Sequence, residues 1–239
     1  MMRILVPRPA GAPPAGEIPS KKDCTFVHVP LIKTTPPADD YQSLDAALKQ
    51  LADFDWVVFT SQHGASAFVD RYRYLGVKTS MPSLVAVGEK TAAPLEKGGW
   101  KLRYVAQGQG ERYLIDYFAG IASLAGQKVL FPKSQIGLSE LENYLKLKKC
   151  AVHRVEAYQT LPDFSQQERL NLEFSKGIDA VFLYSPSQVE ALEVMLKNSR
   201  QILSRLPIYV QGATTAARAK QKDWTVTGFI ADFTVAIRR

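Results

Sequence analysis

Cysteine and histidine are scarce in this chain. There are two cysteines, Cys24 and Cys150, with neither a CxxC pair nor a Cys/His cluster at metal-ligand spacing. That excludes a disulfide framework or a zinc site as the organising device. The three histidines, His28, His63 and His153, form no triad or metal-site spacing. Long apolar runs are missing as well. Stretches such as Trp56-Val57-Val58-Phe59 fall far short of the ~20 residues of a membrane-spanning helix. After Met1-Met2-Arg3 a short apolar run meets Pro7 at once, unlike a secretory leader. The expectation is a cytoplasmic protein with reduced thiols and no membrane contact.

What is present is ordinary for a globular chain. Of 239 residues, 46% are hydrophobic and 22% charged, so disorder is not the default. The length suits two small domains, each able to bury a core. The net charge is +7, but no basic helix, aromatic-interleaved basic patch or nucleic-acid motif accompanies it, which speaks against a nucleic-acid partner. A diffuse positive excess fits a small acidic ligand, whose local concentration it raises; it fits simple solubility equally well.

The chain repeats itself. Asp55-Trp56-Val57-Val58-Phe59-Thr60-Ser61 resembles Asp179-Ala180-Val181-Phe182-Leu183-Tyr184-Ser185, an offset of 179 − 55 = 124. Gly88 and Gly212, each leading a Thr-containing segment, keep that offset, and so do Trp100 and Trp224. Ile4-Leu5-Val6-Pro7-Arg8 resembles Val129-Leu130-Phe131-Pro132-Lys133. Within each copy, short continuous apolar runs predict strands buried on both faces: 4–6, 26–29, 57–60, 84–87, 129–131, 152–155, 181–184 and 208–210. Helical spacing joins Leu44, Leu48 and Leu51, then Leu138, Leu141 and Leu145, then Val189, Leu192 and Leu196. Ser139 with Glu142, and Ser187 with Glu190, have capping-box spacing. Segment 10–20 holds three prolines and two glycines and predicts a loop or a frayed helix. The fold class expected is α/β: two similar doubly wound, flavodoxin-like parallel-sheet domains. Thr34-Thr35-Pro36-Pro37 cannot continue a helix or a central strand.

Candidate site residues follow from where the motifs fall. Ser61 and Ser185 end strands and begin helices; Thr91, Thr214 and Thr215 follow a strand and a glycine. Carboxyl ends of parallel strands face the ligand crevice. A helix N-terminus there presents unpaired N–H groups and positive potential to an anion. Such corners in two opposing copies would make a two-sided anion cradle, although any one of these residues reads equally as a plain N-cap. Arg8 and Lys133 end first strands behind a proline, as ligand cations or as solvated surface charges. Tyr158 stands near a linker, where a phenol could donate a proton or simply pack. Gly108-Gln109-Gly110 is too weak for a nucleotide loop.

At these residues the chain resembles the uroporphyrinogen-III synthase family over nearly its whole length. The resemblance rests on 4–9 (Ile-Leu-Val-Pro-Arg-Pro), Val29-Pro30-Leu31-Ile32, 59–65 (Phe-Thr-Ser-Gln-His-Gly-Ala), 86–92 (Ala-Val-Gly-Glu-Lys-Thr-Ala), 156–160 (Glu-Ala-Tyr-Gln-Thr), Tyr184-Ser185-Pro186-Ser187 and 212–216 (Gly-Ala-Thr-Thr-Ala). It implies a swapped layout: one domain from 1–33 plus 162–239, another from 38–157, two strand-like linkers at about 34–37 and 158–161, and a cleft between the domains. Cys24 and Cys150 would then lie in different domains, unbridged. The implied reaction converts hydroxymethylbilane, a linear tetrapyrrole with eight carboxylates, to uroporphyrinogen III. Water is lost and the last ring inverts through a spiro intermediate. The resemblance implies a monomer and no metal or organic cofactor. It assigns Tyr158 to departure of the hydroxyl and Ser61, Thr91, Ser185, Ser187, Thr214 and Thr215 to substrate carboxylates, with Arg8 and Lys133 as further candidates. Gln211, where the family more often has Val or Ile, and the glycine-free Lys222-Asp223-Trp224 depart from the pattern. A non-catalytic two-lobed module binding an acidic small molecule is the alternative.

Overall fold

The computed structural model describes residues 1–9, 24–108, 110–134, 139–196 and 199–236. The 10–20 segment, Gln109 and Leu138 lie outside these residues. The chain divides into two compact units. Unit 1 is Met1–Lys33 with Thr160–Arg239; unit 2 is Thr34–Gln159.

Unit 1 contains β1 (Met2–Val6), β2 (Cys24–His28), β9 (Ala180–Leu183), β10 (Ile208–Val210) and β11 (Val226–Phe229). They form a sheet in the order β11-β10-β9-β1-β2, with every pairing parallel. Its helices are α6 (Gln167–Ser175), α7 (Pro186–Met195), α8 (Ser199–Leu203), α9 (Ala213–Gln221) and α10 (Ile230–Ala236). Continuous apolar runs serve two faces at once, because successive side chains point to opposite sides of a strand. Leu5, Val181 and Leu183 enter one core with Val189, Leu192 and Trp224. Ile4, Val6, Ala180 and Phe182 enter the other, with Ile230 and Phe233.

Unit 2 repeats this plan. It holds β4 (Trp56–Phe59), β5 (Ser83–Val87), β6 (Tyr104–Ala106), β7 (Lys128–Ser134) and most of β8 (Ala151–Pro162), with β3 (Ile32–Thr35) at one edge; β3 begins and β8 ends in unit 1. The order is β3-β8-β7-β4-β5-β6. Its helices are α1 (Gln42–Lys49), α2 (Gln62–Tyr74), α3 (Glu89–Lys97), α4 (Arg112–Ala119) and α5 (Glu140–Leu147). Val57 and Phe59 face the core of Leu48, Phe68 and Leu95; Trp56 and Val58 face that of Phe118, Leu141 and Leu145. Aligned on the repeat, β7-β8 of unit 2 matches β1-β2 of unit 1, and β4-β5-β6 matches β9-β10-β11. Each sheet has the flavodoxin-like strand order, and in unit 2 that order is reached by a circularly permuted chain.

Each copy carries the same joint at the amino ends of its central strands. Asp179 accepts from the Arg3 amide at 2.7 Å through Oδ2 and returns its own amide to the Arg3 carbonyl at 2.8 Å. Asp55 does the same with Lys128, at 2.8 and 2.9 Å.

Several expectations need correcting. β3, β6 and β11 are absent from the predicted strands, and β8 runs well past 155 to Pro162. The 34–37 stretch contributes the end of β3, an edge strand that stops before Pro36. Ser139 caps α5, accepting from the Glu142 amide. Ser187 is no cap: the N-cap position of α7 is Ser185, with Pro186 first in the helix. Glu190 pairs instead with Arg218 and Lys222.

Candidate functional site

In a doubly wound sheet the connections diverge at one pair of neighbouring strands, and the carboxyl ends of that pair open the ligand crevice. In unit 1 the pair is β1 and β9. Pro7 and Arg8 follow the first; Tyr184 and Ser185 follow the second. Gln188, buried in the first turn of α7, ties the two strand ends together. Its Nε2 donates to the Pro7 carbonyl at 2.8 Å, and its Oε1 accepts from the Tyr184 amide at 2.7 Å. The Arg8 guanidinium lies over the Tyr184 ring, 4.7 Å from its centre. Burial pushes the Tyr184 phenol pKa up, with the Arg8 charge opposing the shift. The backbone of Ser185 is extended, and its hydroxyl is buried with no hydrogen-bond partner among the described residues. Ser187 is half-buried in the same turn. At α9, Thr214 is exposed and Thr215 buried.

In unit 2 the diverging pair is β7 and β4. Ser61, with extended backbone, caps α2 by accepting from the Gly64 amide at 3.0 Å. Gly64 lies so close to β7 that a Cβ there would stand 2.4 Å from the Pro132 carbonyl oxygen. Thr91, third in α3, is buried, as is Thr215, third in α9. Gly88 precedes α3 with φ 76° and ψ 161°, a conformation essentially confined to glycine. Its repeat partner Gly212 is extended, at φ −166°.

Lys133 is a correction to the expected site. It does not offer an open cation. Its ammonium sits 3.1 Å from Glu111 and 3.1 Å from Glu142, with a side chain only 11% exposed. Glu111 also accepts from the Ser139 hydroxyl and, at 3.2 Å, from the Leu141 amide. The reason is electrostatic: two carboxylates inside the same unit already compensate the charge, and their desolvation is tolerable only with the lysine present. Glu111 gave no signal in the sequence, since its partners lie 22 and 28–30 positions away.

Tyr158 is half-buried on β8. The β7–β8 register shifts between Lys133, opposite Glu156, and Ser134, opposite Tyr158. The extra residue re-aims the strand locally, and the consecutive Ala157 and Tyr158 both pack on the core of α1 and α2. The phenol ring stands 5.4 Å from the His63 ring, tilted by 51°. His63 is exposed, second in α2. Sequence reasoning set it aside for want of a triad or metal-site spacing, and its ring neighbour lies on a distant strand. His28 holds its Nδ1 3.3 Å from the Arg8 carbonyl, and His153 packs edge-on to Phe54.

Among the described residues, no group of three or more His, Cys, Asp and Glu side chains is placed to hold a metal ion, and no helix is long and apolar enough to cross a membrane. Cys24, in unit 1, and Cys150, in unit 2, are buried and are not in a disulfide. Burial, with the Asp55 charge second, pushes the Cys150 pKa up.

Comparison with known proteins gives one family. The family described as uroporphyrinogen-III synthase HemD matches residues 18–235. A uroporphyrinogen-III synthase of Synechococcus elongatus is 30% identical over 183 residues, covering 71% of this chain and 68% of that one. A putative uroporphyrinogen-III synthase of Methanothermobacter thermautotrophicus is 26% identical over 188 residues, covering 75% and 74%. Two solved structures share the fold. A mutant uroporphyrinogen III synthase of Thermus thermophilus has TM-score 0.61 at 19% identity, over 96% of this chain and 92% of that one. The uroporphyrinogen-III synthetase of Helicobacter pylori has TM-score 0.61 at 14% identity, over 100% and 99%. The match across most of the chain, together with the Synechococcus relative, shows that this chain belongs to the uroporphyrinogen-III synthase family.

Proposed function

We propose that the protein is a hydro-lyase that closes hydroxymethylbilane to uroporphyrinogen III with loss of water and inversion of the last ring. It acts as a cytoplasmic monomer, without a metal or organic cofactor. The observation that carries the reading, beside the family match, is the recurrence of hydroxyl residues at equal places in both units. Ser61 and Ser185 precede helices after the central strands, and Thr91 and Thr215 stand third in the next ones.

The chemistry suits such a set. A protonated hydroxyl leaves readily as water from the carbon attached to an electron-rich pyrrole, so one mild acid is enough. The harder task is holding a flexible polyanion so that the ring closes inverted, which is a problem of orientation. Tyr158 is the acid that assists departure of the hydroxyl. Ser61, Ser185, Ser187 and Thr214 bind side-chain carboxylates together with nearby helix N–H groups, and Arg8 adds a cation. The buried Thr91 and Thr215 donate where their helix starts open to the ligand.

The test is incubation of purified protein with freshly generated hydroxymethylbilane, with the oxidised product resolved by isomer. Type III above the spontaneous type I background is expected. Type I alone from folded protein would overturn the proposal in favour of a binding module. Tyr158→Phe should lower kcat by roughly 10²-fold with an unchanged melting temperature; full turnover would remove Tyr158 from the mechanism.

A further inference from the structure

The Tyr158 acid poses a question that the unit 2 geometry answers. A phenol that has given its proton to a departing hydroxyl is left as a phenolate and must be reprotonated before the next turnover. The group beside it is His63. Their ring centres are 5.4 Å apart and tilted by 51°, so the two side chains are direct neighbours. Helix and strand both fix this placement. Ser61 caps α2 and so sets the first turn that carries His63. The register shift on β8 sets Tyr158 opposite Ser134. His63 is exposed whereas Tyr158 is half-buried, so the imidazole forms the solvent side of the pair.

We propose that His63 is a positioning and relay residue for this reaction, acting through Tyr158. The inference rests on the function proposed above. In the first step the Tyr158 hydroxyl gives its proton to the substrate hydroxyl, the carbon–oxygen bond breaks, and water leaves. The pyrrole cation closes and rearranges. The ring carbon that formed the new bond then sheds its proton, and His63 takes it up through water. The imidazolium passes that proton to the Tyr158 phenolate. The proton lost by the carbon thus replaces the one lost by the phenol, and no other reactant is required.

Three variants of the full-length protein test this. His63→Phe keeps an aromatic ring against Tyr158 and removes the relay. Its kcat should fall by about 10²-fold with KM nearly unchanged and the melting temperature preserved. His63→Ala should lose kcat similarly and regain part of it when free imidazole is added, an effect that a purely structural histidine would not show. His63→Gln, which keeps a hydrogen-bonding side chain, stands in should the phenylalanine variant fail to fold. If the wild type forms type III isomer while His63→Phe turns over at the wild-type rate, or if imidazole leaves the alanine variant unrescued, the relay is overturned and the proposed function stands. If the wild type yields only type I isomer, the function itself fails, whatever the variants do.

Discussion

At the start of α2 the chain closes its corner backbone against backbone; at the start of α7 it closes the same corner with a side chain. Gly64 and Gln188 are repeat partners, 188 − 64 = 124 positions apart. Gly64 lets the Pro132 carbonyl approach to a distance that would exclude any Cβ. Gln188 instead bonds with its side chain, donating to the Pro7 carbonyl and accepting from the Tyr184 amide. The cations after those prolines have also diverged. Lys133 is locked between Glu111 and Glu142, while Arg8 lies across the face of Tyr184. Duplication has thus preserved the joint between strand and helix and changed the chemistry beside it. In unit 2 the cation serves the fold. In unit 1 it rests on the aromatic face of Tyr184 at the carboxyl end of the sheet.

The sharpest way to break this comparison is to treat the two cations alike. Lys133→Met strands two carboxylates, and removal of one partner from a buried ion pair costs about 3–5 kcal/mol. Urea unfolding should show that loss; a change below about 1 kcal/mol would mean that water, not Lys133, compensates Glu111 and Glu142. Next in size is Gly64→Ala. Its Cβ would lie 2.4 Å from a backbone oxygen, an overpacking that costs about 1–3 kcal/mol despite alanine's better helix propensity. Gly212→Ala is the control, since among the described residues nothing lies within 4 Å of a Cβ there. Thermal unfolding should separate the two variants clearly; equal melting temperatures would show that α2 shifts freely against β7.

Burial decided what could be read in the sequence. β4 and β9 were legible because Trp56-Val57-Val58-Phe59 and Ala180-Val181-Phe182-Leu183 are buried on both faces, so their runs are continuous. β3, β6 and β11 lie at sheet edges, half covered, and their residues mix Lys33, Thr34, Tyr104 and Gly228 among few apolar ones. The second half of β8 is likewise part-exposed and interrupted by Glu156 and Gln159. Ser187 misleads as a cap because two serines flank one proline; Pro186, suited to the first helical position, leaves Ser185 as the cap. The hydroxyl corners could be located because they recur. His63 and Glu111 could not, since what makes each notable is a partner on another element.

The smallest effect tests what the two units hold in common. Asp55 and Asp179 each accept a backbone amide from the neighbouring strand and return their own amide to the same residue. A hydrogen bond to a charged group contributes about 1.5–3 kcal/mol when lost, but both joints are exposed, so water recovers part of it. Asp55→Ala and Asp179→Ala should each cost about 1 kcal/mol. Because the two joints share no partner, the double variant should cost the sum within about 0.5 kcal/mol. Denaturant unfolding of the four proteins measures both quantities. A much larger loss at Asp179 is the outcome that would separate the units, because there the Arg3 side chain also reaches Glu173 and the Gly177 carbonyl, and the joint would then be one part of a wider latch.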